Sequence, residues 1–186
     1  DVERSRGLGD VYKRQVADCQ SIPFKNNYFD TIVANHMLFY LKDLKQGLTE
    51  IARVLKNNGT FYCTTYSKYH MQEISELAQN FDSRISLSDD PLPERFGLEN
   101  GKDILKSYFN YVELKKYEDY LLITEAQPLI DYILSCHGNQ NEYLGNRLKE
   151  FKIYIEDLIK ESQGIKITKD SGLFLSLIHI SEPTRP

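Results

Sequence analysis

A strand, helix and strand in succession between residues 29 and 66 constrain the fold of this chain most strongly. Residues 29–34 form a short apolar, β-branched run that is typical of a buried parallel strand. Leucine and isoleucine then recur at intervals of three and four over residues 41–55, which predicts one buried face of a helix. Residues 60–66 follow as a second strand. Elements of this length predict a right-handed crossover in a parallel sheet, and hence an α/β fold.

The ends of this helix carry sequence features of their own. Asp43, followed three residues later by Gln46, predicts an N-cap. Gly59 is expected to end the helix, because glycine adopts the left-handed backbone conformation that often terminates helices.

The remainder of the chain predicts further helices and a change in the sheet. Helical spacing recurs over residues 70–81, 125–135 and 151–159. Strands are predicted at 111–117, at 120–123 and at 165–175, the last one interrupted at the turn-forming residues 170–172. The parallel strands should therefore be followed by antiparallel C-terminal strands.

The two ends of the chain do not continue these patterns. Residues 1–15 and 176–186 resemble the conceptual translation of sequencing-adapter read-through. We therefore expect two non-native, adapter-like segments flanking one partial domain at residues 16–175. A natural flexible tail at each end is the alternative.

Composition limits the partners and the setting of the protein. With 27 acidic and 23 basic side chains the net charge is -4, so no positive surface for nucleic acid is predicted. No apolar run approaches the ~18 residues of a membrane helix, so no membrane association is expected. Cys19, Cys63 and Cys136 are widely spaced and form no CxxC pair. A cytoplasmic protein without a metal site or disulfides is predicted, and its oligomeric state stays open.

Several short motifs occur in a fixed order within residues 16–61. They are Asp18-Cys19, Ile22-Pro23-Phe24, Phe29-Asp30, Glu50, Arg53-Val54-Leu55 and Gly59. Together they resemble the class I S-adenosylmethionine-dependent methyltransferases of the type 11 group, which includes quinone-biosynthesis methylases. Later segments extend the resemblance over nearly all of residues 16–174. It implies a partial Rossmann-like sheet and S-adenosylmethionine as methyl donor.

The resemblance assigns four residues to the cofactor. Asp18 would accept a hydrogen bond from the adenine amino group, and Cys19 would present its backbone amide to the adenine ring. A carboxylate suits this contact because it only accepts hydrogen bonds. Asn35 and His36, at the carboxyl end of their strand, would approach the methionine portion. Asp18 could instead only cap a turn, and His36 could be merely packed or hydrogen-bonded.

Three residues at the carboxyl end of the next strand are candidates for the substrate side. Thr65 and Tyr66 end the strand at residues 60–66, and His70 follows it. Thr65 could equally bond the backbone, and His70 could start the following helix. No catalytic base is assigned.

The resemblance also implies a glycine-rich turn that should lie before Val16. We therefore predict the C-terminal portion of a methyltransferase that acts on a small molecule, lacking the N-terminal strand-loop-helix unit and itself inactive. A non-catalytic scaffold of the same fold and a nicotinamide oxidoreductase remain the alternatives. The glycine pattern of the missing turn would separate the oxidoreductase from the methyltransferase.

Overall fold

A computed structural model describes residues 15–88, 90 and 92–178, so residues 1–14 and 179–186 of the predicted adapter-like segments lie outside it. Four strands form one sheet in the order β1-β2-β4-β3. They are β1 (Phe29–Asn35), β2 (Leu55–Tyr66), β3 (Tyr111–Ile123) and β4 (Ile165–Leu177). The β1–β2 pair is parallel, and β4 is antiparallel to both β2 and β3. The predicted mixture of parallel and antiparallel strands is confirmed.

Helices connect and cover these strands. They are α1 (Leu44–Val54), α2 (Gln72–Phe81), α3 (Leu92–Arg95), α4 (Gly101–Leu105), α5 (Ala126–Ser135), α6 (Gln140–Leu144) and α7 (Leu148–Ser162). Short 3-10 helices occupy Leu38–Tyr40 and Gly145–Arg147. Within the described residues, no helix is long and apolar enough to cross a membrane.

Helix α1 begins as predicted but ends earlier. The Asp43 side chain accepts a hydrogen bond from the Gln46 amide at 2.9 Å, which confirms the N-cap. The chain becomes extended at Leu55, which pairs with Phe29 of β1. Gly59 therefore lies inside β2, and its predicted role in ending the helix is wrong. A Cβ at this position would lie 2.8 Å from the Leu55 side chain, so close packing accounts for the glycine.

Strands β3 and β4 are longer and more regular than predicted. Their antiparallel ladder runs without a shift from Tyr111–Leu177 to Ile123–Ile165. The predicted interruption at residues 170–172 is wrong because Gly172 pairs with Thr65 on one side and Lys116 on the other. Hydrogen bonding on both edges overrides the local preference for a turn.

Strand β4 extends to Leu177, two residues beyond the predicted domain boundary. Ser176 is buried there and pairs with Phe61 and Val112. The assignment of residues 176–186 as non-native is a separate question and stays a prediction.

Two apolar clusters stabilise the fold. The first joins β1, β2 and α1 and includes Leu48, Ile51, Phe61, Phe109 and Phe174. The second packs α2, α5 and α7 against β4 and includes Ala78, Ile130, Ile133, Phe151 and Ile167. These clusters fix the strand ends at which the candidate site lies.

Candidate functional site

A cavity of about 220 Å³ opens at the carboxyl end of β1. Asp18, Cys19 and Asn35 line it together, so the structure brings three of the four predicted cofactor residues to one place. Apolar side chains form much of the remaining wall, among them Ile22 and Met37. The cavity is therefore an apolar slot with a carboxylate at its rim. We call it the first cavity.

The Asp18 carboxylate also shapes the loop that carries it. One oxygen, Oδ1, accepts a hydrogen bond from the Gln20 amide at 2.9 Å, and the Asp18 carbonyl accepts from the Ser21 amide at 3.0 Å. The side chain is exposed, and Oδ2 makes no hydrogen bond within the described part of the chain. Turn formation and ligand binding are thus compatible, because they use different oxygens.

Cys19 contributes a neutral group to the first cavity. Burial raises the pKa of its thiol, and the nearby carboxylates of Asp18 and Glu50 raise it further. The thiol therefore stays protonated at neutral pH and presents a weakly polar surface.

An ion pair on α1 holds the loop of residues 18–24. Glu50 and Arg53 contact each other through both carboxylate oxygens, at 2.7 and 2.8 Å. The Arg53 guanidinium also donates to the Ile22 carbonyl at 2.9 Å and the Phe24 carbonyl at 2.8 Å. Glu50 in turn accepts from the Ile22 amide at 2.9 Å. The hydrogen bonds from Arg53 lower the pKa of the Glu50 carboxyl, so the pair stays charged.

This positioning role was not predicted from the sequence. The sequence motif contains Glu50 and Arg53 but does not identify their partners, which lie 28 to 31 residues away along the chain. The spacing of three residues on α1 brings the two side chains together, and the fold brings the loop to them.

The turn after β1 is held by Thr64 of β2. His36 adopts a left-handed backbone conformation with φ of 47°. Its amide donates to the Thr64 carbonyl at 3.2 Å and to Thr64 Oγ1 at 3.1 Å. The Thr64 hydroxyl in turn donates to Asn35 Oδ1 at 3.4 Å. Thr64 therefore positions Asn35 and His36, two of the four predicted cofactor residues. The sequence analysis did not predict this role for Thr64.

Thr65 does not take the predicted substrate-side position. Its side chain is fully buried, and its hydroxyl donates to the Phe96 carbonyl at 2.8 Å. Successive side chains of a strand point to opposite faces, so Thr64 and Thr65 cannot both face the same side of β2. Thr65 bonds the backbone, which was the alternative left open.

A second cavity of about 330 Å³ lies beyond the carboxyl end of β2. Tyr66 and His70, both predicted on the substrate side, line it together. Tyr132 and Cys136 at the end of α5 complete the opposite wall and were not predicted. Burial raises the pKa of both Tyr66 and Tyr132, so both phenols stay neutral hydrogen-bonding groups. We call this space the second cavity.

The hydrogen bonding of His70 defines its tautomer. Its Nδ1 accepts a hydrogen bond from the Asp170 amide at 3.0 Å. Burial lowers the pKa of the imidazole, although the nearby Asp170 carboxylate opposes that effect. The ring is therefore neutral with its proton on Nε2, and Nε2 is a hydrogen-bond donor.

Aromatic contacts connect the residues beside the two cavities. The His36 ring stacks on Tyr66 with centroids 6.2 Å apart, and Tyr66 lies 5.3 Å from the His70 ring. Phe39 packs edge-on against Tyr66 at 5.1 Å. His36 itself lines neither cavity, but it follows Asn35 of the first cavity in the chain and stacks on Tyr66 of the second.

The fold and the chain both match known proteins. The structure is similar to the YcgJ protein of Bacillus subtilis, with a TM-score of 0.50 and 17% identity over 90% of this chain and 71% of the other. It is also similar to a candidate methyltransferase of Bacillus halodurans C-125, with a TM-score of 0.51 and 12% identity over 86% and 68%. Residues 2–63 match the methyltransferase domain family. This match covers 62 of the 186 residues, so the chain is similar to that family over its N-terminal third.

Curated relatives match this chain over different lengths. A malonyl-[acyl-carrier protein] O-methyltransferase of Chlorobium luteolum is 26% identical over 154 residues, which is 81% of this chain and 54% of that protein. A ubiquinone/menaquinone biosynthesis C-methyltransferase of Vibrio cholerae is 31% identical over 78 residues, or 42% and 30%. The chain thus spans about half the length of the first relative and less of the second.

Proposed function

We propose that the protein acts in methyl transfer from S-adenosylmethionine to a small-molecule acceptor. The observation that carries this proposal is the arrangement of two cavities at adjacent strand ends, with the His36–Tyr66 stack between them. Ligands of open α/β sheets bind outside the carboxyl ends of the strands. The family match supports the choice of methyl transfer among the reactions that this fold performs.

The chemistry of the first cavity fits the adenosyl part of the cofactor. The unpaired Oδ2 of Asp18 can accept a hydrogen bond from an exocyclic amine, and the apolar wall suits a flat heteroaromatic ring. The loop, held by Glu50 and Arg53, would keep the Cys19 backbone beside that ring. Asn35, which also lines the cavity, and the turn at His36 would face the methionine portion.

The cofactor supplies an electrophilic methyl group on a sulfonium centre. What the protein adds is placement: Thr64 fixes the turn at Asn35 and His36, and the His36 ring stacks on Tyr66 of the second cavity. Positioning of reactants contributes substantially to the rate of such transfers.

The second cavity would hold the methyl acceptor. Tyr66 and Tyr132 provide aromatic surface and neutral hydroxyl groups, and His70 Nε2 provides a donor. Because Nδ1 is occupied by the Asp170 amide, Nε2 already carries a proton and does not accept one. His70 would therefore orient an acceptor oxygen and not act as the general base.

We also propose that the 186-residue chain binds the cofactor weakly and is itself inactive. The described residues provide the adenine end of a site but no glycine-rich turn for close backbone approach. The matched relative is nearly twice as long as the aligned part, which supports a larger complete protein.

A cytoplasmic setting agrees with three unpaired cysteines.

A thermal-shift titration with S-adenosylmethionine and its demethylated product tests the proposal. The 186-residue chain should respond weakly, and the product of the complete open reading frame should be stabilised by about 2.7 kcal/mol at a hundredfold excess over the dissociation constant. Micromolar binding by the shorter chain would contradict its proposed weakness. Failure of the complete protein to bind would favour the non-catalytic scaffold.

A further inference from the structure

Strand β3 forms one edge of the sheet. Only β4 pairs with it among the described residues, along a ladder of 13 residue pairs from Tyr111 to Ile123. Its central and C-terminal side chains are exposed, with Tyr117 at 63%, Tyr120 at 55% and Leu122 at 56%. A long edge with unpaired backbone groups and exposed apolar side chains is a template for strand addition.

The charges on β3 are arranged symmetrically. Lys115 and Lys116 precede Tyr117, and Glu118 and Asp119 follow it. If a second copy pairs antiparallel about Tyr117, Lys115 lies opposite the partner's Asp119 and Lys116 lies opposite the partner's Glu118. Two-fold symmetry repeats both pairs, so four oppositely charged pairs form. The charge pattern of β3 is therefore complementary to itself.

The flanking residues agree with the same register. Leu114 lies opposite the partner's Tyr120, and Val112 lies opposite the partner's Leu122. These pairs share one face of the strand with Lys116, because alternate residues point the same way. That face would contain only apolar pairs and ion pairs, the combinations that stabilise cross-strand contacts.

Other registers lack this complementarity. A shift of the register by one residue is excluded. It would pair residues whose side chains point to opposite faces, whereas paired residues of an antiparallel sheet point to the same face. The nearest permitted registers place Lys116 opposite the partner's Lys116, or Glu118 opposite the partner's Glu118. Only the register centred on Tyr117 pairs every central charge with its opposite.

We propose that β3 is the interface of a homodimer in which two sheets join edge to edge about Tyr117. The partner is a second copy of this chain, since the charge complementarity is with β3 itself. This inference does not depend on the proposed methyl transfer. The first and second cavities lie at other strand ends and are formed within one copy.

Two variants of identical composition test the proposal. K116E/E118K exchanges charges but keeps all four pairs attractive, whereas K115E/E118K makes all four pairs repulsive. Sedimentation velocity over a concentration series should show dimers for the parent chain and K116E/E118K. The dimer dissociation constant of K115E/E118K should be higher by about tenfold or more. Far-UV circular dichroism and thermal unfolding check that each variant is folded.

Mixing provides a second test that does not depend on either variant's own stability. K115E/K116E and E118K/D119K should each be monomeric, because each makes the central pairs repulsive. Together they should form a heterodimer with four attractive pairs. The proposal is overturned if the parent chain is monomeric at high concentration. Equal dimerisation of K115E/E118K and K116E/E118K would also overturn it, and would indicate association through another edge such as β1.

Discussion

Thr64 Oγ1 accepts the backbone N–H of His36 at 3.1 Å, across the parallel pair of β1 and β2. The same hydroxyl donates to Asn35 Oδ1. One side chain on β2 therefore fixes the backbone turn that ends β1. These two hydrogen bonds link the end of β1 to β2.

Replacing Thr64 tests this relationship. Thr64→Val removes the hydroxyl and should lower the free energy of unfolding by about 1 kcal/mol, the usual loss for one hydrogen-bonded side chain. Thr64→Ser keeps the hydroxyl and should stay closer to the parent protein. Urea unfolding measures both. Equal losses in the two variants would assign the effect to the threonine methyl group and not to the hydroxyl.

Asp18 is expected to bind the cofactor through Oδ2 while Oδ1 maintains the loop. Asp18→Asn keeps an oxygen for the Gln20 amide but adds a donor group, so cofactor affinity of the complete protein should fall by about 1–3 kcal/mol. Isothermal titration calorimetry with the demethylated product measures the change. Asp30→Asn, which alters an exposed carboxylate paired with Lys56, is the matched control and should leave affinity unchanged. An unaltered affinity in Asp18→Asn would remove Asp18 from the site.

The Glu50–Arg53 pair should determine the order of the loop at residues 18–24. Arg53→Lys keeps the charge but cannot contact two carbonyls and a carboxylate together, since lysine lacks the planar donor set. The thermal unfolding midpoint should fall by several degrees, and amide hydrogen exchange should increase at Ile22. Lys106→Met, which removes an exposed partner of Asp103, should change little. Unchanged exchange at Ile22 would contradict the positioning role.

His70 should make stability depend on pH. Burial lowers the pKa of its imidazole below the ordinary value of 6.5. As pH falls through 6.5, the unfolded chain takes up a proton that the folded chain does not, so stability is lost; above 6.5 its contribution is fully present. His70→Asn keeps an acceptor for the Asp170 amide and removes the titration.

Chemical denaturation at several pH values between about 7.5 and 5.5 measures this effect. The parent chain should lose more stability over that range than His70→Asn. His137→Asn, at an exposed position, is the control and should behave like the parent. Identical pH profiles for the parent and His70→Asn would show that folding does not lower the pKa of His70.

Local sequence determined much of the architecture. The repeat at residues 41–55 and the Asp43 cap specify α1 because a helix is held by contacts within a few residues. The order of apolar segments specified a parallel crossover followed by antiparallel strands. The motif also singled out Asp18 and Cys19, which line the same cavity as Asn35, while their binding of a cofactor stays a prediction.

Tertiary structure decided what depends on partners distant in sequence. Gly59 and Gly172 have the local preferences of a helix end and a turn, yet strand pairing places both inside strands. Alternation along β2 requires Thr64 and Thr65 to face opposite sides, but the sequence does not state which side meets the turn after β1. The Thr65 hydroxyl donates to the Phe96 carbonyl, 31 residues away. Thr64 therefore faces the other side, where its hydroxyl bonds Asn35 and His36. Long-range hydrogen bonds of this kind exist only once the chain has folded, because no local pattern specifies their partners.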